Sequence, residues 1–541
     1  MLSVRPIWMG VALVLFVTDH AVAQTPLTQR IDQEIQKGLQ GTPAALPAGD
    51  AEFLRRIYLD LTGIVPSAAE ARAFLNDPAP DKRAKLIDKL LAGDEYARHM
   101  QNTFDVLLLD RRPDKFVKRP EWLEFLRKSF AANTPYDQLV REILSADGAD
   151  PKTRAAAAFY LNREGEPNVL TKDISRLFLG MNLQCAQCHD HPLVDAYKQD
   201  FYYGIFAFLN RSYAINDKNL KMTVFAEKAD GDVSFQSVFA PKVMKTTGMF
   251  LPFGKPIAEP KFDKGQEYVA APKQGERGVP KFSRRAQLAG ALTAPDNPRF
   301  ARAGVNRLWW LVFGRGIVNP VEFDHPGNPP SHPELLEMLT QEFVARKYDL
   351  KSFLRDLVSS QAYQKSSELP KDAKDTDPVK FAVAPVRALT PEQFAWSLLQ
   401  ATGQLDADRK ALAPKATEAA LYARNAGQVT PFINLFAGQP GEPANGDFQA
   451  TIDQTLFLRN SPAVRNLLTP RPGDLAERLN NMKEAAPLAD ELYLSVLTRH
   501  PSPEEARDVS EYLARHPGDR PTAVQDLIWA LLTSAEFRFN H

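Results

Sequence analysis

Four short segments of this chain carry the same helix-start chemistry, and they constrain its fold more than any other feature. Ser67-Ala-Ala-Glu70, Ser331-His-Pro-Glu334, Thr390-Pro-Glu-Gln393 and Ser502-Pro-Glu-Glu505 each set a hydroxyl three residues before a Glu or Gln. At that spacing the hydroxyl accepts one free amide hydrogen of the first helical turn, and the acidic or amide side chain accepts another. Three of the four add a proline just inside the start, where its fixed φ suits a helix and its missing N–H costs nothing. Apolar residues recur at helical spacing, as in Leu86, Ile87, Leu90 and Leu91, and again in Leu335, Leu336, Met338, Leu339 and Phe343. The 42 prolines sit mostly at segment starts and in linkers, so they punctuate helices rather than forbid them. These signals predict a mainly α fold.

One stretch departs from that pattern. Met222, Val224 and Ala226 alternate with other residues, as do Val233, Phe235 and Ser237, and Asp230-Gly231 lies between them as a hairpin-turn signal. Residues 211–280 are also rich in Pro, Gly and Lys and read as a small β-rich insert between two helical domains, 51–210 and 281–541. Residues 24–50 read as a loose lead-in, and 427–447 as a long surface loop. A mature chain of roughly 520 residues is long enough for two to four domains.

Residues 1–23 have the organisation of a secretory signal peptide. Arg5 supplies positive charge, Ile7 to Val17 form an apolar run, and Ala21-Val22-Ala23 offers small residues for cleavage. The run is too short to span a bilayer core of about 30 Å, and no later stretch is apolar for long enough. The expectation is an exported protein of the periplasm or cell envelope with no integral membrane segment. Basic and acidic residues balance at 66 each, so no overall field draws the chain to nucleic acid.

The only two cysteines in 541 residues fall in Cys185-Ala-Gln-Cys188-His189, the attachment pattern of c-type haem. Two intervening residues let both sulfurs reach one porphyrin edge, and the next residue offers an imidazole to the iron. Cys185, Cys188 and His189 are therefore expected to bind one haem c, with His189 as proximal iron ligand. Ile174, Leu177, Phe178 and Met181 share a helical face, which predicts that the motif ends an amphipathic helix. His325, His332, Met244 and Met249 are the distal candidates, and an open sixth position is the alternative. Tyr197, Phe201, Ile205, Phe208 and Leu209 read as haem wall or as plain core. Two other readings stay open: a Cys185–Cys188 disulfide, since exported thiol pairs oxidise readily, and a metal site with His191.

The second half gathers Glu322, Asp324, His325, Asn328 and His332 within eleven positions. Asp324, His325 and His332 are the weak catalytic candidates there, as general acid and base or as ligands of a hydrolytic metal. Trp309 and Trp310 point different ways on a helix, so one belongs to the core. Phe313-Gly-Arg-Gly316 lacks the Lys-Ser/Thr of a phosphate loop, and no nucleophile elbow or dinucleotide fingerprint occurs.

Several segments together carry a family resemblance. Residues 55–63 (RRIYLDLTG) and 179–192 (LGMNLQCAQCHDHP) resemble the planctomycete-type cytochrome C domain, PSCyt. Asn306-Arg-Leu-Trp-Trp310, Phe313-Gly-Arg-Gly316, residues 328–335 and the ending 536–541 resemble its companion, PSD. Both families are domains of unknown function. The resemblance implies a redox role with a partner protein, or oxidation of a carbohydrate-type substrate. Many relatives carry a further haem module at the N-terminus, for which residues 24–50 are too short and lack cysteine. The competing expectations are an envelope binding or scaffold protein with a disulfide, and a metal-assisted hydrolase centred on the C-terminal domain.

Overall fold

The computed structural model describes residues 25–371, 373, 376–438 and 451–541. The expected signal peptide lies outside them. Helix accounts for 55% of the structure, and the strands form only two-stranded sheets, so the fold is mainly α as the capping pattern predicts. Three of those sheets fall between residues 212 and 280, which places the β-rich region between the helical parts.

Local capping holds where the side chains are free to act. Ser67, Thr390 and Ser502 form complete capping boxes with Glu70, Gln393 and Glu505. Ser331 does not. Its hydroxyl and its amide both donate to Ile317 O, at 3.2 and 2.8 Å, and the helix Pro333–Ala345 starts after an uncapped His332. The demand of the preceding loop overrides the local signal.

The Asp230-Gly231 hairpin is also corrected. Met222–Glu227 pairs antiparallel with Ser212–Asp217, and Val233–Phe235 pairs with Lys245–Thr247. The tight turn sits one strand earlier, where the Asp217 carboxylate accepts the amides of Asn219 and Leu220 at 2.9 and 3.0 Å. Gly231 serves instead as an anchor, its carbonyl accepting from Arg211 Nε at 3.0 Å.

Two expected irregular segments are helical. Leu27–Leu39 is a helix that buries Leu27, Ile31, Ile35 and Leu39 against the helices Pro333–Ala345 and Leu350–Ser359. Glu418–Phe436 is a helix running through Gly427 and Pro431. Burial of Leu421, Val429 and Phe432 outweighs the roughly 3 kcal/mol that an interior proline costs. Residues 439–447 of that expected loop lie outside the described residues.

The apolar core does not break at residue 280. Phe53, Trp122, Phe159 and Phe208 share one continuous core with Leu288, Phe300, Trp309, Leu335 and Phe353. A second core, from Leu389 to Phe537, recruits Leu59, Ile64 and Val65 from the first half. Helix Asp50–Thr62 joins the two. Its Arg55 donates to Val496 O and Phe537 O, and its Asp60 accepts from Tyr363 Oη, Arg387 Nη2 and Asn540 Nδ2 at 2.8, 2.6 and 2.7 Å.

Candidate cofactor and ligand site

The helix Pro167–Phe178 stops well before the cysteines, so the expectation that they end a helix is corrected. Gly180 turns the chain at φ +66°, a left-handed conformation that glycine adopts without strain, and the Met181 amide returns to Ser175 O at 3.0 Å. The following residues pair with the second half of the chain. Met181 bridges Phe323, Asn182 donates to Glu322 O at 2.8 Å, and Asp324 donates to Gly180 O at 3.0 Å. This short pairing brings the cysteine motif and the acid-imidazole segment side by side from 140 positions apart.

Cys185 and Cys188 sit on and just after a single 3₁₀ turn, Gln184–Gln187, with both thiols exposed and unbridged. Helix Gln199–Leu209 is their scaffold. Gln199 Nε2 donates to Gln187 O at 3.3 Å and to Gln236 O at 3.2 Å, and Tyr203 Oη donates to Gln187 O at 3.1 Å. The insert closes over the motif, with Val238 donating to Cys188 O at 3.0 Å and the Phe239 ring 5.0 Å from His189. His189 Nδ1 lies 2.6 Å from the Asp190 carbonyl, which can only accept, so Nδ1 carries a hydrogen and in the neutral ring Nε2 is the nitrogen with the lone pair. Phe239 beside it is 80% exposed and Val238 more than half exposed, and along the chain Leu193 is 88% exposed.

His191 accepts the Leu193 amide on Nδ1 at 3.2 Å and so closes a local turn. Burial, then the neighbouring His325 and His189, lower its pKa. Its ring meets Tyr197 edge-on at 5.8 Å, and Tyr197 meets His325 edge-on at 5.4 Å. An aromatic ladder thus links the cysteine loop to the second half. Of the expected haem wall, Tyr197, Ile205, Phe208 and Leu209 are buried core, and Phe201 is partly exposed beside Phe253.

The acids of the second half face arginines. Asp324 accepts from Arg302 Nε at 2.7 Å and Nη2 at 3.3 Å, with Arg299 Nη1 at 3.7 Å. Glu322 faces Arg176 at 3.2 Å and Arg307 at 3.5 Å, the end of a buried network through Asp173, Arg163 and Asp110. Asn328 braces this loop, Nδ2 donating to Phe323 O at 2.8 Å. His332 stands apart, buried between Gly38 and Phe381 with Nε2 unpartnered, so it does not join Asp324 and His325. Met249 is buried in the core. Among the described residues no three His, Cys, Asp or Glu side chains converge in a metal-holding group, and no helix is long and apolar enough to cross a membrane.

Beside His325 opens a groove of about 890 Å³ between the insert and the start of helix Pro298–Phe313. Arg299, Arg302 and Phe253 line it, and sequence reasoning passed over all three. The signal was present: Arg299 in the first turn of a helix and Arg302 just beyond it oppose its dipole, and a broken local rule marks a position held for another reason.

Residues 30–214 match the family PSCyt2, described as a protein of unknown function (DUF1549), and the match takes in most of the helix Leu27–Leu39. Residues 284–513 match PSD1, also a protein of unknown function (DUF1553). No curated protein and no solved structure matches the chain. The two matched segments meet at the pairing of Met181 with Phe323, and the chain carries a PSCyt2 segment followed by a PSD1 segment.

Proposed function

We propose that this chain carries one haem c and works as an exported redox protein, passing electrons to a partner or oxidising a periplasmic substrate. The observation behind the proposal is the state of His189. In the neutral ring a backbone carbonyl holds its Nδ1–H and leaves Nε2 as a ligand, with the exposed Phe239 ring 5.0 Å away and Val238 reaching the motif through its amide. Leu193, Val238 and Phe239 offer the contacts that a porphyrin face needs, and their burial under it would remove the exposure. Cys185 and Cys188 would each add S–H across one vinyl double bond, forming a thioether and losing no atom. Bound there, haem supplies a one-electron couple; the protein's own part is to orient His189 through Asp190 and to exclude water with the insert. The export expected from residues 1–23 supports this reading, because such attachment takes place outside the cytoplasm.

The test is a pyridine haemochrome spectrum on protein from the periplasm of a host that co-expresses a cytochrome c maturation system. A c-type spectrum that survives acid-acetone and is lost in Cys185→Ala/Cys188→Ala supports the reading. A colourless protein whose mass is lower by two hydrogens makes the motif a disulfide and overturns it.

A further inference from the structure

We propose that the groove beside His325 binds a small monocarboxylate with a ring face, its carboxylate on Arg299 and Arg302 and its ring on Phe253. The inference does not depend on the haem reading. A volume of about 890 Å³ suits a small organic molecule rather than a few waters. The walls are stiff, because Pro252, Pro298, Pro326, Pro329 and Pro330 line them. The floor is cationic. Asp324 neutralises one of two guanidinium charges, and donors remain: Arg302 engages Asp324 through Nε and Nη2, leaving Nη1, while Arg299 reaches it through Nη1, leaving Nε and Nη2. Lys255 and Asp296, which also line it, offset each other, so the groove holds one surplus positive charge beside the N-terminal end of a helix. One surplus charge matches a monoanion, and a planar guanidinium edge matches a carboxylate.

Phe253 supplies the second half of the site. Its ring is 60% exposed and lies over the Arg299 guanidinium at 4.6 Å. Its backbone φ is +64°, a left-handed conformation that costs a bulky residue on the order of 1–3 kcal/mol. A surface phenylalanine held at such a cost, with its ring turned into a charged groove, is placed for contact with a ligand. Inorganic phosphate could use the arginines but not the ring, so the ring separates the classes.

The experiment is fluorine NMR of 4-fluorobenzoate titrated with the full chain, with 4-fluorobenzamide and inorganic phosphate as comparisons. Saturable line broadening is expected for the benzoate and none for the amide, with phosphate a weak competitor. Phe253→Ala and Arg302→Gln should each weaken binding about tenfold, the scale of one charge-assisted hydrogen bond or one aromatic contact. Asp324→Asn removes the negative charge that competes for the guanidiniums and should tighten binding, an effect that a merely unfolded variant cannot produce. Equal binding of the amide, indifference to Phe253→Ala, or no gain in Asp324→Asn would each overturn the proposal. Phosphate that competes as well as unlabelled benzoate would also overturn it, in favour of a general anion site.

Discussion

Asp105 is a carboxylate held against its preference. It is buried, accepts from Trp122 Nε1 at 3.1 Å and pairs with Arg119, yet burial raises its pKa to about 6, with Glu392 adding to the rise. An unfolded chain releases that proton near pH 4. Between about pH 4 and 6 the native state therefore holds a proton that the unfolded state does not, and stability falls as pH rises through that window. His99 acts in the opposite sense. Burial and Arg98 lower its pKa to about 3, so from pH 3 to 6.5 only the unfolded chain takes the proton and stability rises with pH. The two effects separate in a difference. Relative to Asp105→Asn, the wild type should lose on the order of 2–3 kcal/mol as pH goes from 4 to 6. Melting curves of both proteins across that range check it, and parallel curves would sink the idea. Asp173 is the contrasting acid: Arg163 and Arg176 at 2.6 and 2.9 Å overcome its burial and lower its pKa to about 2. Its replacement by Ala leaves two buried guanidiniums to share Asp110 as their remaining buried carboxylate, and urea unfolding should show a loss of about 3–5 kcal/mol.

Helix Leu27–Leu39 has its most telling contact at Gly38. A Cβ there would lie 2.0 Å from His332 Nε2, and His332 is buried. Gly→Ala inside a helix ordinarily gains up to about 1 kcal/mol; here Gly38→Ala should cost about 1–3 kcal/mol. In a His332→Ala background the usual gain should return, and a double-mutant cycle by urea unfolding measures the switch. Additive effects would show that the two elements do not meet. This contact also explains how much could be read from the chain alone. Signals complete within a few residues were legible, such as the capping boxes at Ser67, Thr390 and Ser502 and the mainly helical class. Signals that a distant partner overrides were not. Ser331 is claimed by Ile317, Asp230-Gly231 by Arg211, and Pro431 by the core over its helix. At the candidate site the residue types stood out in order along the chain. Their grouping did not, because the Met181–Phe323 bridge that brings His325 to His191 and leaves His332 behind is a long-range backbone pairing.

Whether the two family segments are separable bodies is decided by where apolar area is buried. Leu288, Phe300, Trp309, Leu335 and Phe353 lie after the insert yet share the core of Phe53, Trp122 and Phe208. A cut at residue 280 exposes both sides of that core. Burial of a single large apolar side chain is worth about 1.5–3 kcal/mol, so the loss of several exceeds the 5–15 kcal/mol that holds a typical domain. A cut after residue 385 leaves that core nearly whole, since its members run from Leu27 to Phe381 with Leu494 added. What that cut removes is the apolar cover over Leu59, Ile64 and Val65 and some polar support: the carbonyls of Val496 and Phe537 that Arg55 reaches, and Arg387 and Asn540 on Asp60. Buried groups without partners cost about 1–3 kcal/mol each, more when charged. The fragment 25–385 should therefore fold with a cooperative urea transition at a lower midpoint than the full chain, while 25–280 should show no cooperative transition. Circular dichroism against urea decides between them, and a stable, cooperative 25–280 would mean that the first family segment closes its own core.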